Sequence, residues 1–156
     1  MEKSTLSEIK NELKTLSSNQ MQEIIIRLAK YKKENKELLN YLLFDSFNQQ
    51  AFVQNVKEEI DDQFKNLNSS SFYLAKKTVR KVLKTTNKYI KFSGAKETEI
   101  ELRIYFCLKL RKSGLRLSSS RVLLNLYQNQ FNRIRSVLAM LHEDLQYDYK
   151  EMSDIL

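Results

Sequence analysis

Only two residues in this chain lack a Cβ, Gly94 and Gly114, and there is no proline. A chain of 156 residues so poor in breakers and so rich in Leu, Lys, Glu and Gln must turn through short polar links between helices. The fold class that follows is all-α, with about six to eight helices. A compact multi-helix bundle and a short solenoid of helical hairpins both fit, and the length suits a single domain over residues 1–156. Each glycine closes an apolar pattern, where a helix end wants a left-handed residue.

The helices follow from caps and apolar spacing. Thr5-Leu-Ser-Glu8 is a capping box, and Leu6, Ile9, Leu13 and Leu16 form the inward stripe of a first helix. Ser17-Ser-Asn-Gln20 opens a second, with Met21, Ile24, Ile25, Leu28 and Tyr31 on its apolar side. Residues 36–47 are apolar almost all round, which predicts a short helix sandwiched between others. A fourth helix spans 49–67 with Phe52, Val53, Val56, Ile60, Phe64 and Leu67 inward, and the polar run 68–71 precedes a fifth over 72–92. The segment between the glycines carries Ile100, Leu102, Ile104, Tyr105, Phe106, Leu108 and Leu110 on most of its surface, so it is expected to be the central, most buried element. Ser118-Ser-Ser120 opens a last pattern from Val122 to Leu145, one helix or two meeting near Asn129.

Charge divides the domain. Residues 1–67 are near-neutral helical hairpins and 72–146 a basic helical half. The acidic end, 147–156, is weakly periodic and expected to fray. The net charge is +8, yet residues 63–142 hold seventeen Lys and Arg against three Glu. Residues 143–156 hold five acids against one Lys, and such a tail can fold back on a basic surface. In that case deleting Glu143–Leu156 strengthens polyanion binding.

The basic excess is patterned. At 100° per residue, Lys76, Lys77, Arg80, Lys81, Lys84, Lys88 and Lys91 share one face of the fifth helix, and Ala75, Val79, Val82, Leu83, Tyr89 and Ile90 lie opposite. No acid occurs between Asp62 and Glu97 to break the stripe. Seven like charges along about 24 Å repel one another and attract polyanions. Arg111, Lys112, Arg116 and Arg121 cluster around Gly114 and extend the candidate surface. Tyr73 projects through the same face, placed to stack on a base or a guanidinium.

Other constellations are sparse. One His and one Cys exclude a His-rich metal site, a thiolate cluster and an internal disulfide. His142 borders an apolar stripe and reads as a core-edge residue, and Cys107 as a buried thiol. Glu34 and Glu37, followed by Glu59 and Asp62, set acids at i, i+3 on two helices, oxygen ligands of the kind that suit Mg²⁺ on a nucleotide's phosphates. That spacing resembles the all-α nucleoside triphosphate pyrophosphohydrolases, although Lys33 stands where their doubled leading glutamate is needed.

Leu13-Lys-Thr-Leu-Ser-Ser, Met21-Gln-Glu-Ile-Ile, Ala75-Lys-Lys-x-x-Arg-Lys-Val and Leu141-His-Glu-Asp-Leu-Gln-Tyr-Asp-Tyr149 resemble small all-helical bacterial proteins grouped as a domain of unknown function. The resemblance implies an all-α bacterial cytoplasmic protein and carries no activity, cofactor or catalytic residue. The opening MEKSTLSEIK lacks the apolar run of a signal peptide, and no apolar segment approaches 18 residues, so a cytoplasmic protein is expected. A membrane is not an expected partner, because the face opposite the lysines is needed for the core.

The leading functional expectation is a non-enzymatic binding module, without cofactor, that docks an acidic protein or a nucleic-acid backbone on the basic face. One alternative is the Mg²⁺-dependent nucleotide hydrolase. Another is a scaffold whose charge serves only solubility.

Overall fold

A computed structural model describes residues 3–154, all-α as expected, with eight α-helices and no strand among them. They are α1 (Leu6–Leu13), α2 (Ser18–Tyr31), α3 (Lys33–Asn40), α4 (Gln49–Lys65), α5 (Phe72–Ser93), α6 (Lys96–Lys112), α7 (Arg121–Leu138) and α8 (Glu143–Asp154). A π-helical turn, Tyr41–Asp45, continues α3, and a 3₁₀ turn, Leu117–Ser119, precedes α7. The chain divides into two compact units, Met1–Phe44 and Asp45–Leu156. The division therefore falls ahead of α4, which the charge pattern grouped with the N-terminal hairpins but which packs on α5 and α6.

In the second unit α6 is the hub, packed by α4, α5, α7 and α8. Ile100, Leu102, Ile104, Phe106, Cys107 and Leu110 leave water almost completely, as a helix apolar over most of its surface requires. Polar contacts fix the register of its neighbours. Tyr89 Oη donates to Glu59 (2.6 Å) and Gln63 to Thr85 (3.1 Å), which sets α4 and α5 antiparallel. Lys57 pairs with Glu101 (2.6 Å), and Asp61 takes Tyr105 Oη (2.8 Å) and Lys109 Nζ (2.7 Å), so α4 runs parallel to α6. Burial pushes the Asp61 carboxyl up, but the bonds from Lys109 and Tyr105 outweigh it and hold the group below its ordinary range.

The helix ends obey the expected local chemistry. Thr5 with Glu8, and Ser17 with Gln20, form complete capping boxes, and Ser71 and Ser120 cap α5 and α7. Gly94 (φ 65°) and Gly114 (φ 81°) are left-handed just past α5 and α6, a conformation that strains any residue with a Cβ. The last pattern is one helix through Asn129, broken at 139–142, and the acidic end to Asp154 is helical rather than frayed, packed on α6 and α7.

The first unit departs from the sequence reading. The residues expected inward on α1 and α2 are exposed, Leu6 82% so, and among the described residues of the unit only Tyr41 is buried. The apolar run 36–47 is not sandwiched either, with Phe44 71% and Phe47 84% exposed.

Because α6 is the common partner of four helices, Phe106→Ala should lower unfolding stability by about 3–5 kcal/mol. Urea denaturation followed by circular dichroism measures this, and a loss under 1 kcal/mol would contradict the central placement.

Candidate functional site

The basic stripe survives folding as one surface. Lys77, Arg80, Lys81, Lys84 and Lys91 are exposed, Lys76 and Lys88 half-buried, and Ala75, Val79, Val82, Thr86 and Ile90 turn to the core. Among the described residues, Lys76, Lys77, Arg80, Lys81, Lys84 and Lys91 make no ion pair; the ammonium of Lys88 sits 4.5 Å from the Tyr89 ring centre. Tyr73 is 75% exposed at the start of the helix, beside Phe72 and Leu74, which are also exposed.

The second cluster lies at the end of the unit where α6 stops. Arg103 donates to Asn87 (3.0 Å), which fixes the α5–α6 hairpin and brings Lys112 level with the first turns of α5. Lys112, Arg116 and Arg121 are exposed there, whereas Arg111 hydrogen-bonds Tyr127 of α7. Neither α5 nor α7 has an acid in its first turn. Arg121, as the first residue of α7, stands against the positive end of the helix dipole, which costs a few tenths of a kcal/mol to about 1 kcal/mol.

Cations serving the fold are arranged otherwise. Glu99, buried near the start of α6, takes Arg103 (Nε, 2.9 Å) and Arg133 (Nε, 2.7 Å), and Arg103 also donates to Gln130 of α7 (2.6 Å). This network ties α5, α6 and α7 together. Burial pushes the Glu99 carboxyl up, yet the bonds from Arg133 and Arg103 prevail and hold it below its ordinary value. A cleft of about 470 Å³ opens beside it, lined by Asn87, Lys91, Gly94, Glu99, Arg103 and Arg133. The Arg103 guanidinium is already committed to protein acceptors, so the cleft is not a ready anion site. The sequence trace of this network is Glu99 and Arg103 at i, i+4, interleaved with the buried Ile100, Leu102 and Ile104, where polar groups need partners.

The carboxylates of the hydrolase reading have other engagements. Glu59 accepts from Tyr89 and Gln63, and Asp62 pairs with Lys65 (2.6 Å). Glu34 and Glu37 belong to the first unit, where Glu37 pairs with Lys33 (3.7 Å). Among the described residues no three His, Cys, Asp or Glu side chains are grouped to share an ion. Cys107 is buried, its thiol pushed up to about 12 by burial and so held protonated. His142 is exposed rather than at a core edge, its Nδ1 accepting from the Asp144 amide (3.4 Å). No described acid of α8 pairs with an α5 lysine, and no described helix is long and apolar enough to cross a membrane.

No family model, no curated protein and no solved structure matches the chain. The likeness to small bacterial helical proteins rests on the quoted residues alone.

The Glu99 network predicts an acid-sensitive fold. A carboxyl held low in the folded state contributes stability that is present above its unfolded value of 4.5 and is lost as pH falls through the folded value. Glu99→Gln should therefore cost about 2–3 kcal/mol at pH 7, and that difference should shrink steadily below pH 4.5 in denaturant titrations. A pH-independent difference would show that the charge of Glu99 is not what matters.

Proposed function

We propose that this protein is a non-enzymatic helical binding module that docks an acidic partner, foremost a nucleic-acid backbone, on the α5 face of Lys76, Lys77, Arg80, Lys81, Lys84, Lys88 and Lys91. Lys112, Arg116 and Arg121 extend the same field at the N-terminal end of α5. The observation that carries this reading is the contrast in pairing. Lys57, Lys109 and Arg133 are each matched to a carboxylate of another helix and Arg103 to Glu99 of its own, whereas six of the seven stripe cations have no acidic partner among the described residues.

The composition of the face bears on how it binds. Six of its seven cations are lysines, point charges on flexible stems rather than the planar forks that grip two acceptors at once. Such a surface neutralises phosphates wherever they lie and reads little sequence. Tyr73 adds a flat ring at one end for a base of a single strand.

Anisotropy titration of nuclease-treated protein with labelled single-stranded RNA and duplex DNA across a salt series tests the proposal. Log affinity should fall linearly with log salt, and K77E/K81E/K84E should weaken binding by at least ~100-fold at low salt and flatten the slope by roughly 2–3. Equal binding by this variant, or none by the native chain at low salt, would remove the nucleic-acid reading. In the second case, loss of a protein partner on the same charge reversal would move the face to an acidic protein, and no lost association would leave it a solubilising surface.

A further inference from the structure

The first unit carries an unusual amount of uncovered apolar surface. Thirteen of its large apolar side chains are more than a third exposed, on the order of 1,000 Å² in total. The largest apolar patch of an ordinary monomer is about 300–600 Å². The side chains are also ordered. Met21, Ile24, Leu28 and Tyr31 follow the 3-4-3 spacing of a coiled-coil seam along α2, with Ile25 beside them. Glu23 and Lys30 stand on the other side of the helix, and cations border the seam only at its edge and end, Arg27 beside Ile24 and Leu28 and the Lys32 ammonium 5.8 Å from the Tyr31 ring centre. Between α2 and α3 lies an apolar groove of about 250 Å³, lined by Ile25, Leu28, Ala29, Asn35, Leu38, Leu39 and Leu42. A ridge and a groove side by side on one unit are what two copies need in order to interlock.

We propose that this protein is a homodimer joined through its N-terminal unit, the α2 seam of each copy (Met21, Ile24, Ile25, Leu28, Tyr31) packing on the α2–α3 surface around Leu38 of the other. A two-fold arrangement uses the same patch on both copies and closes, so that the seam itself is not left to recruit a third copy. The area is of the right order: a stable dimer buries about 800 Å² on each partner, and the seam residues with Leu38 and Leu42 expose roughly 700 Å² before the flanking polar groups are added. Charge permits self-contact. Residues 1–44 hold eight Lys and Arg against six Glu, too near neutral to repel a second copy and too near neutral to draw the unit to an anionic lipid surface.

Sedimentation equilibrium of the full chain at about 50 μM, well above the dissociation constant of a standard-sized interface, should give twice the 18.6 kDa of one chain. I24E/L28E changes two already exposed seam positions and should sediment as a single chain while keeping its helical circular dichroism. Ile26→Glu, on the other side of α2, should remain a dimer. A single-chain mass for the native protein overturns the proposal, and co-sedimentation of that monomer with phosphatidylcholine–phosphatidylserine vesicles would then identify lipid as the occupant. A mass that grows with concentration without limit, or an I24E/L28E variant as dimeric as the native chain, overturns it equally. K77E/K81E/K84E should stay dimeric, which separates this proposal from the fate of the docking face.

Discussion

The second unit depends on one constraint: from Thr98 to Leu110, α6 carries apolar side chains over most of its surface and has no fully exposed residue. Each large side chain moved out of water contributes about 1.5–3 kcal/mol. The segment is therefore stable only when enclosed, and α4, α5, α7 and α8 are placed to enclose it. The polar groups that enclosure traps must then be satisfied where they lie. Glu99 shows how this is done, with Arg103 from its own helix and Arg133 from α7 sharing one carboxylate. Removing the carboxylate would leave two guanidinium groups without their shared counter-charge, Arg103 in a region that solvates it poorly.

That constraint also explains which parts of the fold were legible beforehand. Helix ends were readable because caps are local: a Ser or Thr three residues before a Glu or Gln, or a glycine after an apolar pattern, acts within one turn. The central role of α6 was readable because its apolar residues spread over most of the helix surface and need cover on several sides at once. The same inference failed for residues 36–47, where Tyr41 is buried but Leu42, Leu43, Phe44 and Phe47 are exposed. Periodicity tells which side of a helix wants cover; it does not tell whether the same chain supplies it. The α1 and α2 stripes were read correctly as stripes and wrongly as inward for the same reason. The partners of Glu99 lie across three helices, and the i, i+4 pairing within α6 was the only local trace of them.

The basic face belongs to a different kind of signal. Its seven members were legible from the helical wheel, and α5 does turn them to one side with Ala75, Val79, Val82, Thr86 and Ile90 opposite. What the wheel lacks is the fate of each charge. Arg111, on α6 and outside the seven, turns to Tyr127, and of the seven Lys88 sits over its neighbour's ring. The other six stay without an acidic partner among the described residues, on a helix whose first turn holds no acid. Those charges add nothing to the fold and oppose one another at i, i+4, a cost of a few tenths of a kcal/mol per pair. A surface that weakens its own helix is better explained by something that neutralises it than by the needs of the helix.

The two proposed surfaces also answer a difficulty that each leaves open alone. A single lysine face that reads no sequence holds a nucleic acid only weakly at physiological salt, with dissociation constants of about 10⁻⁴–10⁻⁶ M. Two such faces joined in one particle change the arithmetic. Once the first is bound, a polymer long enough to reach the second meets it at an effective concentration set by the connection and not by the bulk solution. Self-association through a near-neutral unit supplies that second face without placing like charges in the contact itself. Retention on the polymer then rises steeply while each face stays weak enough to release, slide and rebind.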